Sequence, residues 1–146
     1  TQVLTGKLGQ YPYDQLLIST GAEATDFNIP GVKEHAFFLW SIEDAIRIRY
    51  HIKAIVKEAA REFDPVKRAQ LLTFVVAGGG FTGVELVGEL TEWLPTLCKE
   101  HGLDYNEVKL INVEALGSIL NMLPEGPRKK AEDYLKKQGV EIRLIH

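Results

Sequence analysis

A chain of 146 residues with 45% hydrophobic residues has the size of one domain and enough apolar material for a core. Its net charge of −3 gives no broad basic footprint for nucleic acid, and no apolar run approaches the roughly 20 residues of a membrane span, so a soluble globular chain is expected. The one cysteine, Cys98, excludes an internal disulfide and reads as core, while His35, His51, His101 and His146 lack ligand spacing, so no metal site is assigned.

In chain order, residues 1–5 and 13–19 read as strands pairing across a turn at 6–10, the second apolar enough to be buried. Alone, such a pair is marginal. It ends at Thr20-Gly21, and a turn-rich passage through Pro30-Gly31 leads to Ser41-Ile42-Glu43-Asp44, a capping box. That box opens a helix in which Ile42, Ala45, Ile46, Ile52, Ile55, Val56 and Ala59 recur at helical spacing, closed or restarted at Asp64-Pro65. A boundary is placed near Ser41, giving a segment 1–40, a connecting helix 41–68 and a third region 69–146.

The third region opens on Thr73-Phe74-Val75-Val76-Ala77-Gly78-Gly79-Gly80-Phe81-Thr82-Gly83-Val84-Glu85, an apolar run broken by glycines and followed by a helical pattern. This reads as a buried strand turning into a helix, the arrangement that holds a dinucleotide pyrophosphate. Gly78 lets the chain leave the strand through dihedrals that a side chain forbids, Gly80 removes a Cβ from the path of the phosphates, and Gly83 lets the helix pack close to the sheet. The first helical turn has unpaired N–H groups and a partial positive charge, so backbone alone stabilises an anion there.

The spelling excludes neighbouring motifs. A Walker A loop needs Lys and then Ser or Thr where this chain has Val84 and Glu85, and a kinase loop joins two strands where Leu86, Leu90, Trp93 and Leu97 mark a helix. Methyltransferases remain a distant alternative. Residues 107–113 form the next strand candidate, and Glu114 at its end is where a carboxylate accepts hydrogen bonds from an adenosine ribose, or else is simply an exposed acid. The interval from Gly83 exceeds the usual ~20 residues, because the helix runs on through Pro95 to His101 before a turn at Gly102. No Lys or Arg lies between Ala115 and Leu123 to neutralise a 2′-phosphate, which favours NADH over NADPH. A helix around 128–138, ended by Gly139, and a strand 140–145 complete a βαβαβ mononucleotide half: an α/β, Rossmann-like fold that looks truncated at His146.

Tyr13-Asp14-Gln15-Leu16-Leu17-Ile18-Ser19-Thr20-Gly21, Ile29-Pro30-Gly31-Val32, Ser41-Ile42-Glu43-Asp44-Ala45 and the glycine run through Glu89 together resemble the flavin-dependent pyridine nucleotide-disulfide oxidoreductases, within them most closely the type II NADH dehydrogenases, single-subunit NADH:quinone oxidoreductases. The resemblance implies an NADH-binding domain inserted in an FAD domain, with residues 1–40 a hairpin remnant of the FAD domain. It implies a site in which Gly78, Gly79, Gly80, Phe81, Thr82, Gly83 and Glu114 bind NADH, Thr20 and Gly21 lie on the FAD side, and Glu85 sits near the nicotinamide. Thr82 serves equally as a helix cap, and an acid at Glu85 is favoured by the helix dipole without any catalysis. The implied activity is transfer of a hydride from NADH to FAD and of electrons to a quinone, on a protein peripheral to the cytoplasmic membrane face through a C-terminal segment absent here.

Lacking the family's flavin fingerprints, this chain by itself is not expected to retain FAD or to catalyse electron transfer. Ser118 and Asn121 stand where relatives often have Arg and Pro. A sulfide:quinone or ferredoxin reductase, and a non-catalytic NAD(H)-binding module, stay open as alternatives, as does a homodimer covering exposed apolar surface.

Overall fold

The structure, a computed structural model, describes residues 2–6 and 9–145; Thr1, Lys7, Leu8 and His146 of the elements read above lie outside them. The chain divides into two units, Thr1–Trp40 and Ser41–His146.

In the first unit, strands β1 (Gln2–Gly6) and β2 (Gly9–Tyr13) pair antiparallel with Gln2 opposite Tyr13 and Gly6 opposite Gly9. The second strand therefore lies earlier than the expected 13–19. Gly9, at φ +136°, opens it in a backbone conformation that side chains rarely adopt, and its pairing is complete at Tyr13. The apolar run Leu16-Leu17-Ile18 continues past the end of its partner and is exposed, Leu17 at 90%. Such a run forms a strand when sheet neighbours bury it, and among the described residues no strand lies beside it. A short helix, α1 (Val32–His35), follows Gly31.

The second unit begins with α2 (Ile42–Ala59). Ser41 Oγ accepts from the Asp44 N–H at 3.1 Å and Asp44 Oδ2 accepts from the Ser41 N–H at 3.0 Å, the reciprocal box that the sequence spells. Burial is confined to the later turns: Ile52, Val56 and Ala59 are inside, while Ile42 and Ile46 are exposed. The helix stops before Asp64, whose carboxylate caps α3 (Pro65–Leu71) through the Val66 N–H, with Pro65 in the first turn where its missing donor costs nothing.

Next come β3 (Thr73–Ala77), α4 (Phe81–Glu100), a short 3-10 helix (Tyr105–Glu107), β4 (Lys109–Glu114), α5 (Glu125–Lys137) and β5 (Glu141–Leu144). The three strands are parallel in the order β3-β4-β5, with Val75 opposite Ile111 and Val113 opposite Arg143. This is the expected βαβαβ half of Rossmann type. Helix α4 runs through Pro95, and Gly102 follows its end at φ +71°. The core joins Ile52 and Val56 of α2 to Val87, Leu90, Leu94, Leu97 and Cys98 of α4, Leu110 of β4, Leu135 of α5 and Val140. Central strand β4 buries Leu110, Ile111 and Asn112 in succession, as a strand flanked on both edges does. Strand order thus places the carboxyl ends of β3 and β4 side by side, and the glycine run leaves from one of them.

Candidate nucleotide-binding site

The ladder between β3 and β4 continues one step beyond β3, where the Gly78 N–H donates to the Val113 carbonyl at 2.8 Å. Gly78 then turns the chain at φ +113°. Gly80 is the N-cap of α4 and has no side chain to occupy the open N–H groups of Phe81, Thr82 and Gly83. A Cβ built on Gly80 meets nothing within 4 Å, so there is room beside the helix terminus. The first turn of this 20-residue helix carries no acid to compete with an anion. Gly83 faces the opposite situation: a Cβ there would lie 2.0 Å from the Gly78 carbonyl oxygen. The helix therefore packs directly on the turn, and only hydrogen fits between them.

Glu114, at the end of β4, is joined to that turn. Its Oε2 accepts from the Gly79 N–H at 2.5 Å, and its Oε1 accepts from the Leu116 N–H at 2.8 Å. Gly79 is buried, and a Cβ on it would come within 3.0 Å of the Glu114 side chain, which explains the middle glycine of the run. The loop after Glu114 arches back over the same residue, with the Leu120 N–H donating to the Gly79 carbonyl at 2.6 Å. Leu120, at φ +49°, and Ile119 are both buried there. Each oxygen of a carboxylate has a second lone pair, so Glu114 retains capacity to accept from two ribose hydroxyls.

Three contributors escape the motif. Leu120 closes the loop on Gly79. Arg128, from the first turns of α5, donates from Nη1 to Ser118 Oγ at 3.1 Å, bringing to the loop a guanidinium that the stretch 115–123 lacks; it is invisible locally because it reaches back ten residues. Asn112, fully buried in β4, donates from Nδ2 to the carbonyls of Val76 at 3.1 Å and Gly78 at 2.9 Å. A polar residue inside Leu110-Ile111-Asn112-Val113 was the available signal for it.

Of the residues singled out from the sequence, Gly78 to Gly83 and Glu114 come together at the carboxyl ends of β3 and β4. Phe81 and Thr82 lie exposed on the first turn of α4, and Glu85 is exposed one turn further along. Thr20 and Gly21 fall in exposed chain of the other unit outside any helix or strand, Gly21 at φ +74°. The assembled group fits a dinucleotide: a helix terminus open to an anion, space where Gly80 lacks a side chain, and a carboxylate with lone pairs to spare. For FAD the described residues offer no second glycine turn from strand into helix, so no residue is assigned to its phosphates. Among the described residues no cluster of three metal-ligating side chains occurs, and no helix is long and apolar enough to cross a membrane.

The whole chain, residues 1–146, matches the family model described as pyridine nucleotide-disulphide oxidoreductase. It is 38% identical over 136 residues to the type II NADH:quinone oxidoreductase of Staphylococcus haemolyticus, covering 93% of this chain and 33% of that protein. It is 40% identical over 141 residues to the external NADH-ubiquinone oxidoreductase 2, mitochondrial, of Saccharomyces cerevisiae, covering 90% of this chain and 25% of that protein. Among solved structures, that of NDH2 from Plasmodium falciparum in complex with NADH has the same fold, with a TM-score of 0.80 at 24% identity over 92% of this chain and 28% of the other. The chain thus spans between a quarter and a third of the length of these relatives.

Proposed function

The chain belongs to the pyridine nucleotide-disulphide oxidoreductase family, and on that premise we propose that it is the NADH-binding part of a type II NADH:quinone oxidoreductase. The observation that carries this reading is the hydrogen bond from the Gly79 N–H to Glu114 Oε2, which fixes the ribose acid against the turn that receives the pyrophosphate. Phosphates bind at the N–H groups of the turn and of α4, with Thr82 at hand in the first turn; the adenosine ribose bonds Glu114; and Glu85 flanks the nicotinamide. A carboxylate at the ribose also repels a 2′-phosphate, so NADH is preferred to NADPH even with Arg128 at the loop.

The whole protein oxidises NADH, with a hydride passing to FAD and electrons to a quinone, chemistry those groups supply when bound. In it, residues 1–40 belong to the FAD domain with Thr20 and Gly21 on the flavin side, 41–68 connect, and 69–146 form the first half of the NADH domain. It works at the cytoplasmic membrane face.

Calorimetric titration of this chain with NADH and NADPH tests the nucleotide site. NADH binds in preference to NADPH, and Glu114→Arg weakens NADH by about 10- to 100-fold, the value of hydrogen bonds to a charged group, while reversing the preference. A folded chain that binds neither nucleotide refutes the assignment. Reduction of a quinone analogue by NADH, measured on the full-length protein, tests the activity.

A further inference from the structure

The glycine turn is held from outside by Glu114 and Leu120, and from within the sheet by one side chain that the dinucleotide motif does not include. Asn112 lies at the middle of β4, opposite Val76 on one side and Ile142 on the other, with none of its surface exposed. Its Nδ2 donates to the carbonyls of Val76 and Gly78, the residues on either side of Ala77, where the strand gives way to the turn. The sense of the amide is fixed by chemistry: rotating it would put Oδ1 against two carbonyl oxygens, which cannot donate. Oδ1 in turn has no partner among the described residues. A buried acceptor left unpaired is destabilising, and an apolar side chain of similar volume would avoid that cost in a strand whose neighbours are Leu110, Ile111 and Val113. What the amide provides in return is the double hold on the turn.

We propose that Asn112 is a positioning residue of the nucleotide site: by holding the Val76 and Gly78 carbonyls, its amide fixes the φ +113° departure of Gly78 and thereby the place of Gly79 and of the α4 terminus relative to Glu114. The inference rests on the nucleotide reading above and adds to it a residue that touches no ligand and acts through the backbone. Affinity for the pyrophosphate then depends on how sharply the turn is held before the ligand arrives, because a turn that must be ordered on binding takes that cost from the binding energy.

Two variants, titrated calorimetrically with ADP-ribose as an acid-stable probe and checked for folding by circular dichroism, test this. Asn112→Leu keeps the volume and removes both donors; ADP-ribose binding weakens by about tenfold, the effect of lost hydrogen bonds. Asn112→Asp has a donor only while protonated; when ionised it sets a negative charge against two carbonyl oxygens. Its affinity for ADP-ribose therefore falls at least fivefold, relative to wild type measured in parallel, as pH rises from 5 to 8. The parallel wild-type series removes any pH dependence that the two proteins share. A residue that merely fills the core would give Asn112→Asp no such profile in its folded population, so this variant decides the matter even if Asn112→Leu does not fold. Wild-type binding with an unchanged Asn112→Leu, or a flat ratio for Asn112→Asp, overturns the role of Asn112 and leaves the nucleotide site standing. A wild-type chain that is folded and does not bind ADP-ribose overturns both.

Discussion

Three glycines of α4 and its approach separate fold from binding when each is replaced by alanine. At Gly83 the new Cβ would lie 2.0 Å from the Gly78 carbonyl oxygen, where real contacts stay above 3.0 Å, so helix and turn must part by about 1 Å. Overpacking of this kind costs about 1–3 kcal/mol, against a gain of at most ~1 kcal/mol in helix propensity. At Gly88, in the same helix, a Cβ meets nothing within 4 Å, so only the propensity gain remains. At Gly80 the space is also open and φ is −75°, so alanine is accommodated in the free chain but occupies the room left for phosphate. A unit of this size shifts by about 4 °C in Tm per kcal/mol. Thermal unfolding followed by circular dichroism should show Gly83→Ala melting several degrees lower, Gly88→Ala a few degrees higher and Gly80→Ala unchanged. NADH titration should show binding lost in Gly83→Ala and Gly80→Ala and kept in Gly88→Ala. Gly83→Ala that melts and binds like wild type would refute the close packing, and Gly80→Ala that binds NADH normally would refute the place given to the pyrophosphate.

Two further outcomes follow from the second unit. Ser41→Ala removes half of the capping box; because Ile42 and Ile46 are exposed, the cap rather than the core orders the first turns of α2, so amide exchange in residues 43–48 accelerates about fivefold, the equivalent of ~1 kcal/mol, with little change in Tm. Burial pushes the Cys98 thiol above its ordinary pKa, with Glu107 and Asp104 adding to the effect, so iodoacetamide labelling of the native chain at neutral pH is slow and rises to the rate of a free thiol only in denaturant.

The glycine turn and its helix were legible because each step has a local chemical reason: Gly78 needs a positive φ, the apolar spacing after Val84 is helical, and Asp64-Pro65 and Ser41-Asp44 punctuate helices with short-range hydrogen bonds. The strand after Tyr13 was misplaced because Leu16-Leu17-Ile18 has the composition of a buried strand, while pairing depends on a neighbour that composition does not supply. At the site, Glu114 could be picked out by its place at a strand end, whereas its bond to Gly79 spans 35 residues and exists only once β3 and β4 are adjacent. Arg128 and Leu120 were hidden for the same reason. Asn112 alone left a trace, as a polar residue in an apolar run, but the trace does not say which carbonyls it meets.

That Gly79 and Glu114 lie so far apart in the chain couples the site to the cooperativity of the whole second unit. An unfolded chain has neither the turn nor the carboxylate beside it, so on the proposed assignment a dinucleotide would bind the native state alone and stabilise it by mass action, by about 2.7 kcal/mol at a hundred times its Kd. Detachment of β4, even with the remainder of the unit intact, abolishes the site as fully as global unfolding does. With the proposed site in place, nucleotide concentration would set how long this stretch of the polypeptide withstands proteolysis.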